Sequence, residues 1–252
     1  MRGVPTVAAA AVVALGVALT GCGADEAPPP GSAAAPESTS SSAQAGTASD
    51  PDAPTADEAL EEAVDRLLSA AEGSFTVAGV GGDDTISVTG RYRMDPPAGE
   101  TVYSASLPDG ERYEEYHRSA EQLVWFRVEA PGVDARCWVE RDATGIPREE
   151  LGYAPRVADG LPPGPVLGVA DAVGEEWVDD TTIGGRVSLD GGAPEGATFH
   201  LDGADLVLVE TASGTLTFGP LEGDLDVVPP DDERVRVEAG DDVGAAMTDC
   251  AG

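Results

Sequence analysis

Two histidines, three cysteines and a large excess of carboxylates are the residues of this chain that could do chemistry. His117 stands among Tyr113, Glu115 and Tyr116, and His200 lies in a second alternating segment. Neither histidine belongs to a Gly-x-Ser-x-Gly, His-Glu-x-x-His, phosphate-loop or dinucleotide pattern, so no nucleophile or cofactor is specified with it. The segment around His117 reads as a strand with the histidine at the surface. Carboxylate pairs such as Glu114-Glu115 and Glu149-Glu150 could serve a glycosidase only across a sugar cleft, about 5–9 Å apart. In a chain with 47 acidic residues such neighbours arise from composition. Asp83-Asp84, Asp179-Asp180, Asp231-Asp232 and Asp241-Asp242 could offer oxygens to calcium, but none sits in an Asp-x-Asp-x-Asp-Gly loop. No catalytic residue, metal or cofactor is expected, and the chain does not read as an enzyme.

The cysteines say more. Leu19-Thr20-Gly21-Cys22 closes an apolar run from Val7 to Leu19, and Arg2 precedes it with positive charge. This is the order of a secretory signal, and the run is shorter than the roughly 20 residues a membrane span needs. The tetrapeptide resembles the lipobox of bacterial lipoproteins, in which the cysteine is lipidated and becomes the first mature residue. That resemblance implies a signal peptide over 1–21, a lipid anchor on Cys22, and a place on the extracytoplasmic face of the membrane. It leaves Cys137 and Cys250 as a pair in an oxidising compartment. A bridge between them would close a loop of more than a hundred residues, worth on the order of 4 kcal/mol in the loop-entropy model.

Formal charge is −33, with 14 basic residues, all of them arginine. Such a surface repels nucleic acid and anionic headgroups. Residues 22–54 are Ala, Pro, Ser, Gly and acid, too poor in large apolar side chains to offset ordering entropy, and are expected to be a disordered spacer. As a flexible coil the spacer spans roughly 30 Å. Residues 55–252 are then a single domain, expected to be monomeric.

The elements follow from periodicity. Thr55-Ala-Asp-Glu58 matches a capping box, and Leu60, Ala63, Val64, Leu67, Leu68 and Ala71 follow at helical spacing, with Gly73 as the natural stop. Strands are expected around Phe75–Gly79, Ile86–Met94, Thr101–Leu107, Glu111–Arg118, Gln122–Ala130 and Arg136–Arg141, with Pro96-Pro-Ala-Gly99 as a turn. Ile146–Asp159 and Pro163–Val173 read as short helices with loops. Strands resume from Glu175, through Arg186–Leu189, Ala197–Leu201, Leu206–Glu210, Leu216–Phe218 and Leu225–Val228. Asp190-Gly-Gly192, Asp202-Gly203 and Ser213-Gly214 supply turns between them. Helix, strands, short helices and strands in that order argue for an α+β fold with antiparallel pairing.

That order, with Leu60–Val80, Leu123–Gly132 followed by Trp138, Val166–Ile183 and Leu216–Pro230, resembles the mycobacterial lipid-carrier lipoproteins of the LppX and LprG type, which share a half-barrel with the LolA carrier. The resemblance implies a curved antiparallel sheet with helices packed on its concave face, and an apolar space between them that holds acyl chains. The residues expected to line that space are Leu60, Val64, Leu67, Phe75, Val77, Ile86, Val88, Val124, Phe126 and Val128. Arg186 and His200 interrupt the pattern in the second half. Trp125 shares a face with Arg127 and is expected to pack under a neighbouring segment. The function implied is non-catalytic carriage of a lipid or lipidated partner. The alternative is an envelope interaction or sensor module with no ligand cavity.

Overall fold

The computed structural model describes residues 53–81, 84–106, 110–131, 137–142, 161–188, 193–231, 234–237 and 246. The signal segment, the spacer through residue 52, Cys22, Cys250, Ile146–Asp159 and the Asp190-Gly-Gly192 turn lie outside the described residues. Met1–Ala53 and Pro54–Gly252 are separate units, and the second is the folded domain.

Thr55 opens it. Its hydroxyl accepts the Glu58 amide at 3.2 Å, and the Glu58 carboxylate accepts the Thr55 amide at 2.9 Å. This reciprocal cap starts helix α1, Ala56–Ser69. The backbone and hydroxyl hydrogen bonds from Thr55 hold the Glu58 carboxyl below its ordinary range. Ala56, Leu60, Ala63 and Val64 form the buried stripe, while Glu62 and Arg66 pair at 2.7 Å on the solvent side. The helix closes at Ala70, whose amide donates to the Leu67 carbonyl, ahead of the expected stop. Gly73 instead lies inside the first strand, where a Cβ would sit 3.0 Å from the Tyr92 hydroxyl.

Five consecutive hairpin partners follow: β1 Glu72–Gly81, β2 Asp84–Met94, β3 Pro97–Ser106, β4 Arg112–Ala120 and β5 Leu123–Glu129. Strand β6, Trp138–Asp142, ends this half of the domain. A short helix α2, Gly164–Leu167, has Pro165 in its first turn. The second half is β7 Val173–Asp179, β8 Thr182–Val187, β9 Glu195–Asp202, β10 Asp205–Thr211 and β11 Gly214–Gly219, with β12 Arg234–Val237 last. All join one open sheet in the order β12-β6-β5-β4-β3-β2-β1-β11-β10-β9-β8-β7. Pairing is antiparallel throughout, apart from β12, which runs parallel to β6.

Three sequence expectations are corrected. The turn before β3 is Asp95-Pro96, and Pro97 already pairs with Met94. A proline is tolerated at the first position of a strand, where no ladder donor is missed. Leu225–Val228 forms no strand although Leu225 is buried, because Pro229 and Pro230 follow and have no amide to donate. Arg186 and His200 do not interrupt the sheet. They are in-register members of β8 and β9, paired with Glu175 at 2.6 Å and with Glu210 at 2.8 Å.

Helix α1 packs on β7 and β10, and α2 packs on α1 and β1. The core is the layer between them: Leu60, Ile183, Phe199, Val209, Val166 and Val169 are fully buried, with Phe75, Val88, Tyr92 and Phe218 around them. At the N-terminus of α1 the contact is backbone on backbone. A Cβ on Gly174 of β7 would lie 2.6 Å from the Ala56 carbonyl oxygen, and the Gly174 amide donates to the Asp57 carboxylate at 3.2 Å. Gly174→Val should therefore lift the helix and cost about 1–3 kcal/mol. Gly196→Ala, which opens onto empty space, should stay within about 0.5 kcal/mol of the parent; denaturant unfolding of both variants checks the pair.

Candidate functional site

The strand registers sort side chains into two faces. Phe218, Phe75, Gly90, Thr101, His117, Phe126 and Val139 form one row across seven strands, on the face that carries the core. The row changes character along its length. Under α1 it is apolar. Beyond β2 it passes to Thr101 and His117, while the adjoining row on the same face carries Gly99, Ser119, Val124 and Arg141.

Of the ten residues expected to line an unfilled space, Leu60, Val64, Leu67, Phe75, Val77 and Val88 belong to the main core or pack against it. Val124 and Phe126 are buried farther along the same face, and Ile86 and Val128 are half-buried. The layer beneath the middle of α1 is occupied by side chains. Open volume lies at its C-terminal end instead, where a cleft of about 410 Å³ separates the helix from the β9–β10 turn and the end of β11. Its apolar lining includes Ala63, Leu67, Leu206 and Phe218, and the charged residues Arg66, Glu72, Asp202 and Asp205 line it as well. Only Leu67 was on the expected list. Strand periodicity marks Leu206 and Phe218 as strand residues but cannot place them beside a cleft, because that depends on where the helix ends over the sheet. A wider depression of about 890 Å³ runs along the outer face of α1 over Glu58, Glu61, Glu62 and Asp65, a charged lining that gives an apolar molecule little to bury.

His117 is the second departure from expectation. It is 9% exposed, not at the surface. Its Nε2 lies 2.6 Å from Glu115, whose other oxygen accepts the Tyr113 hydroxyl at 3.2 Å. The imidazole stands edge-on to Phe126 at 4.9 Å. Cross-strand neighbours impose this: His117 faces Phe126 on β5 and Thr101 on β3. Burial pushes the Glu115 carboxyl up, but the hydrogen bond and charge of His117 and the Tyr113 phenol outweigh it and hold it below its ordinary value. Burial first, then the Glu115 charge, pushes the Tyr113 phenol well up. His117 Nδ1 and Ser119 Oγ are buried without a hydrogen-bond partner among the described residues. Two positions apart on one strand face, they are separated by about 7 Å of rise, so Ser119 is no nucleophile for this imidazole. Among the described residues no three His, Cys, Asp or Glu side chains are grouped to hold a metal.

The opposite face carries a tryptophan–arginine stack. Trp125 and Trp138 are 1% and 2% exposed, so Trp125 is packed in, as expected, and is not a docking ring. The Trp125 indole donates to Glu140 at 3.0 Å. The Arg127 guanidinium lies 4.6 Å from the Tyr116 ring and 4.7 Å from Trp138, and Arg118 lies 5.2 Å from Trp138. Trp177 on the edge strand β7 is the exposed tryptophan, at 38%, and its indole donates to the Pro54 carbonyl at 3.3 Å. Cys137 is buried at the approach to β6; Cys250 lies outside the described residues.

No protein-family model matches the chain, and no curated protein matches it. Among the described residues no helix is long and apolar enough to cross a membrane.

The Glu115 carboxyl has a testable consequence. A depressed carboxyl contributes stability above its unfolded value, near 4.3 for glutamate, and loses it as pH falls through the folded value. Glu115→Gln should cost about 1–3 kcal/mol at pH 7, as for a hydrogen bond to a charged group. The gap between variant and parent should shrink below about pH 4. Unfolding curves of both proteins at the two pH values measure this, and a gap that does not change with pH would refute the role given to Glu115.

Proposed function

We propose that this chain is a membrane-anchored extracytoplasmic lipoprotein whose folded domain, a half-barrel of the lipid-carrier type, holds a hydrophobic ligand without chemically transforming it. The observation that carries the reading is the cleft of about 410 Å³ at the end of α1, with Ala63, Leu67, Leu206 and Phe218 among its lining. Its volume falls within the range of about 300–1,000 Å³ usual for small-molecule sites. An aliphatic chain entering it would gain about 0.8 kcal/mol for each methylene removed from water. Cys22 would tether the domain through the spacer, and Cys137 and Cys250 would be joined outside the reducing cytoplasm. A large antiparallel sheet with its one long helix laid on one face is the arrangement that such a carrier needs.

A second reading is an interaction module. It draws on Val173, Trp177 and Val178, exposed together on the edge strand β7. An unpaired edge with apolar side chains is a route to strand pairing with a partner.

Organic extraction of the purified chain followed by mass spectrometry separates the two. An amphiphile in near-stoichiometric amount is the outcome expected for a carrier, and its consistent absence would leave the interaction module. Cys22→Ser should move the protein from the membrane fraction to the soluble one; a variant that stays with membranes through a high-salt wash would remove the tether.

A further inference from the structure

We propose that the sheet face opposite the core docks an extended acidic segment of a partner protein along a track of five arginines. The track is Arg91 and Arg93 on β2, Arg118 on β4, and Arg234 and Arg236 on β12. It lies on the other side of the sheet from α1 and does not depend on what enters the cleft. Register and exposure carry the inference.

Paired positions line up as one row across six strands: Arg91, Glu100, Arg118, Trp125, Glu140 and Arg236. Arg93 and Arg234 stand two residues along their strands from the ends of that row, and so share its face. At the usual strand spacing the row is about 24 Å long, the length of roughly seven extended residues. Seven of the ten arginines among the described residues project from this face of β2–β6 and β12. In a chain of formal charge −33, the basic side chains are gathered here.

Exposure decides which charge the face presents. The side chains of Arg91, Arg118 and Arg234 are 38–42% exposed, while Glu100 and Glu140, which pair with them, are 25% and 15% exposed. Guanidiniums therefore stand outermost, with the carboxylates beneath them. Each of the three spends one nitrogen on its carboxylate, at 2.7, 3.3 and 3.4 Å, a fraction of the donors a guanidinium carries. Arg236 is exposed and has no hydrogen bond or ion pair among the described residues. The donors left over fit carboxylate oxygens in pairs. An extended acidic chain meets this track alone, whereas a plane of anionic headgroups would also meet the acids on the rest of the domain. The adjoining row adds the half-buried Val102 and Tyr116, apolar contacts that suit the side chains of a polypeptide and give a polyphosphate nothing.

The experiment is fluorescence anisotropy of a labelled glutamate decapeptide titrated with the full chain. The peptide should bind at low salt and lose affinity steeply as salt is raised, because the contacts are exposed charges. The double variant Arg91→Gln, Arg236→Gln should bind it at least tenfold more weakly than the parent. The double variant Arg66→Gln, Arg186→Gln removes the same charge away from the track and should stay within twofold of the parent. Arg236→Gln alone should weaken binding about threefold and unfold at the parent's midpoint, since that side chain has no partner to lose; it carries the test if the first double variant folds poorly. No binding by the parent would overturn the proposal. Equal losses in the two double variants would assign the attraction to net charge and overturn it as well. A polyphosphate of matched charge that binds as tightly as the peptide would give the face to a phosphate polymer, and binding of the parent to phosphatidylglycerol vesicles would give it to a membrane. Either result ends the peptide reading.

Discussion

Helix α1 offers about 21 Å of apolar stripe, and the twelve strands, laid flat at their usual spacing, would extend about 53 Å. That mismatch of lengths governs the rest of the molecule. The helix reaches from Gly174 on β7, where its first turn rests on bare backbone, to Leu206 on β10, a width of about 14 Å across the strands that it can cover with a turn or so to spare. Beneath it the sheet face is apolar and filled, with Ile183, Phe199 and Val209 fully buried. At its C-terminal end a cleft bordered by Leu67, Leu206 and Phe218 remains between the helix and the sheet. Farther along, the same face carries the buried polar residues Thr101, His117, Ser119 and Arg141, with Glu115 beside them.

The far half buries Val124, Trp125, Phe126, Trp138 and Val139 and adds hydrogen bonds and cation–ring contacts to that burial. On the core face Glu115 joins His117 to Tyr113; on the opposite face Arg118 and Arg127 lie on Trp138, and Trp125 bonds Glu140. In a chain with 47 acids and 14 arginines, such stacking places scarce cations where they satisfy carboxylates and cover rings at once. The carboxylates left over gather on surfaces, and three of them rim the cleft.

Much of the secondary structure was legible in the residues, for local reasons. Thr55 and Glu58 mark the start of α1 because a cap is a contact within one turn. The alternation of Ile86, Val88 and Tyr92 marks β2 because the strand period is local. Asp202-Gly203 marks its hairpin because the turn needs a residue at positive φ. Gly73 misled because a glycine after a helical stripe looks like a C-cap, whereas this one is a strand position kept bare beneath the Tyr92 ring. Strand β12 was not foreseen because it pairs in parallel with β6, about a hundred residues earlier, and its four alternating residues are too short a run to stand out.

The candidate site divides the same way. By itself the sequence determined which residues are apolar, which face of each strand they occupy, that Trp125 and Arg127 lie together, and that the chain is acidic throughout, since all of these depend on side-chain type and on periods of two or 3.6. Only the tertiary structure decided which of those apolar residues are sealed and which border open space, that His117 is buried, and that Asp202 and Asp205 stand at the entrance to a cleft. Packing is settled by where one element stops over another, and no residue encodes that position alone.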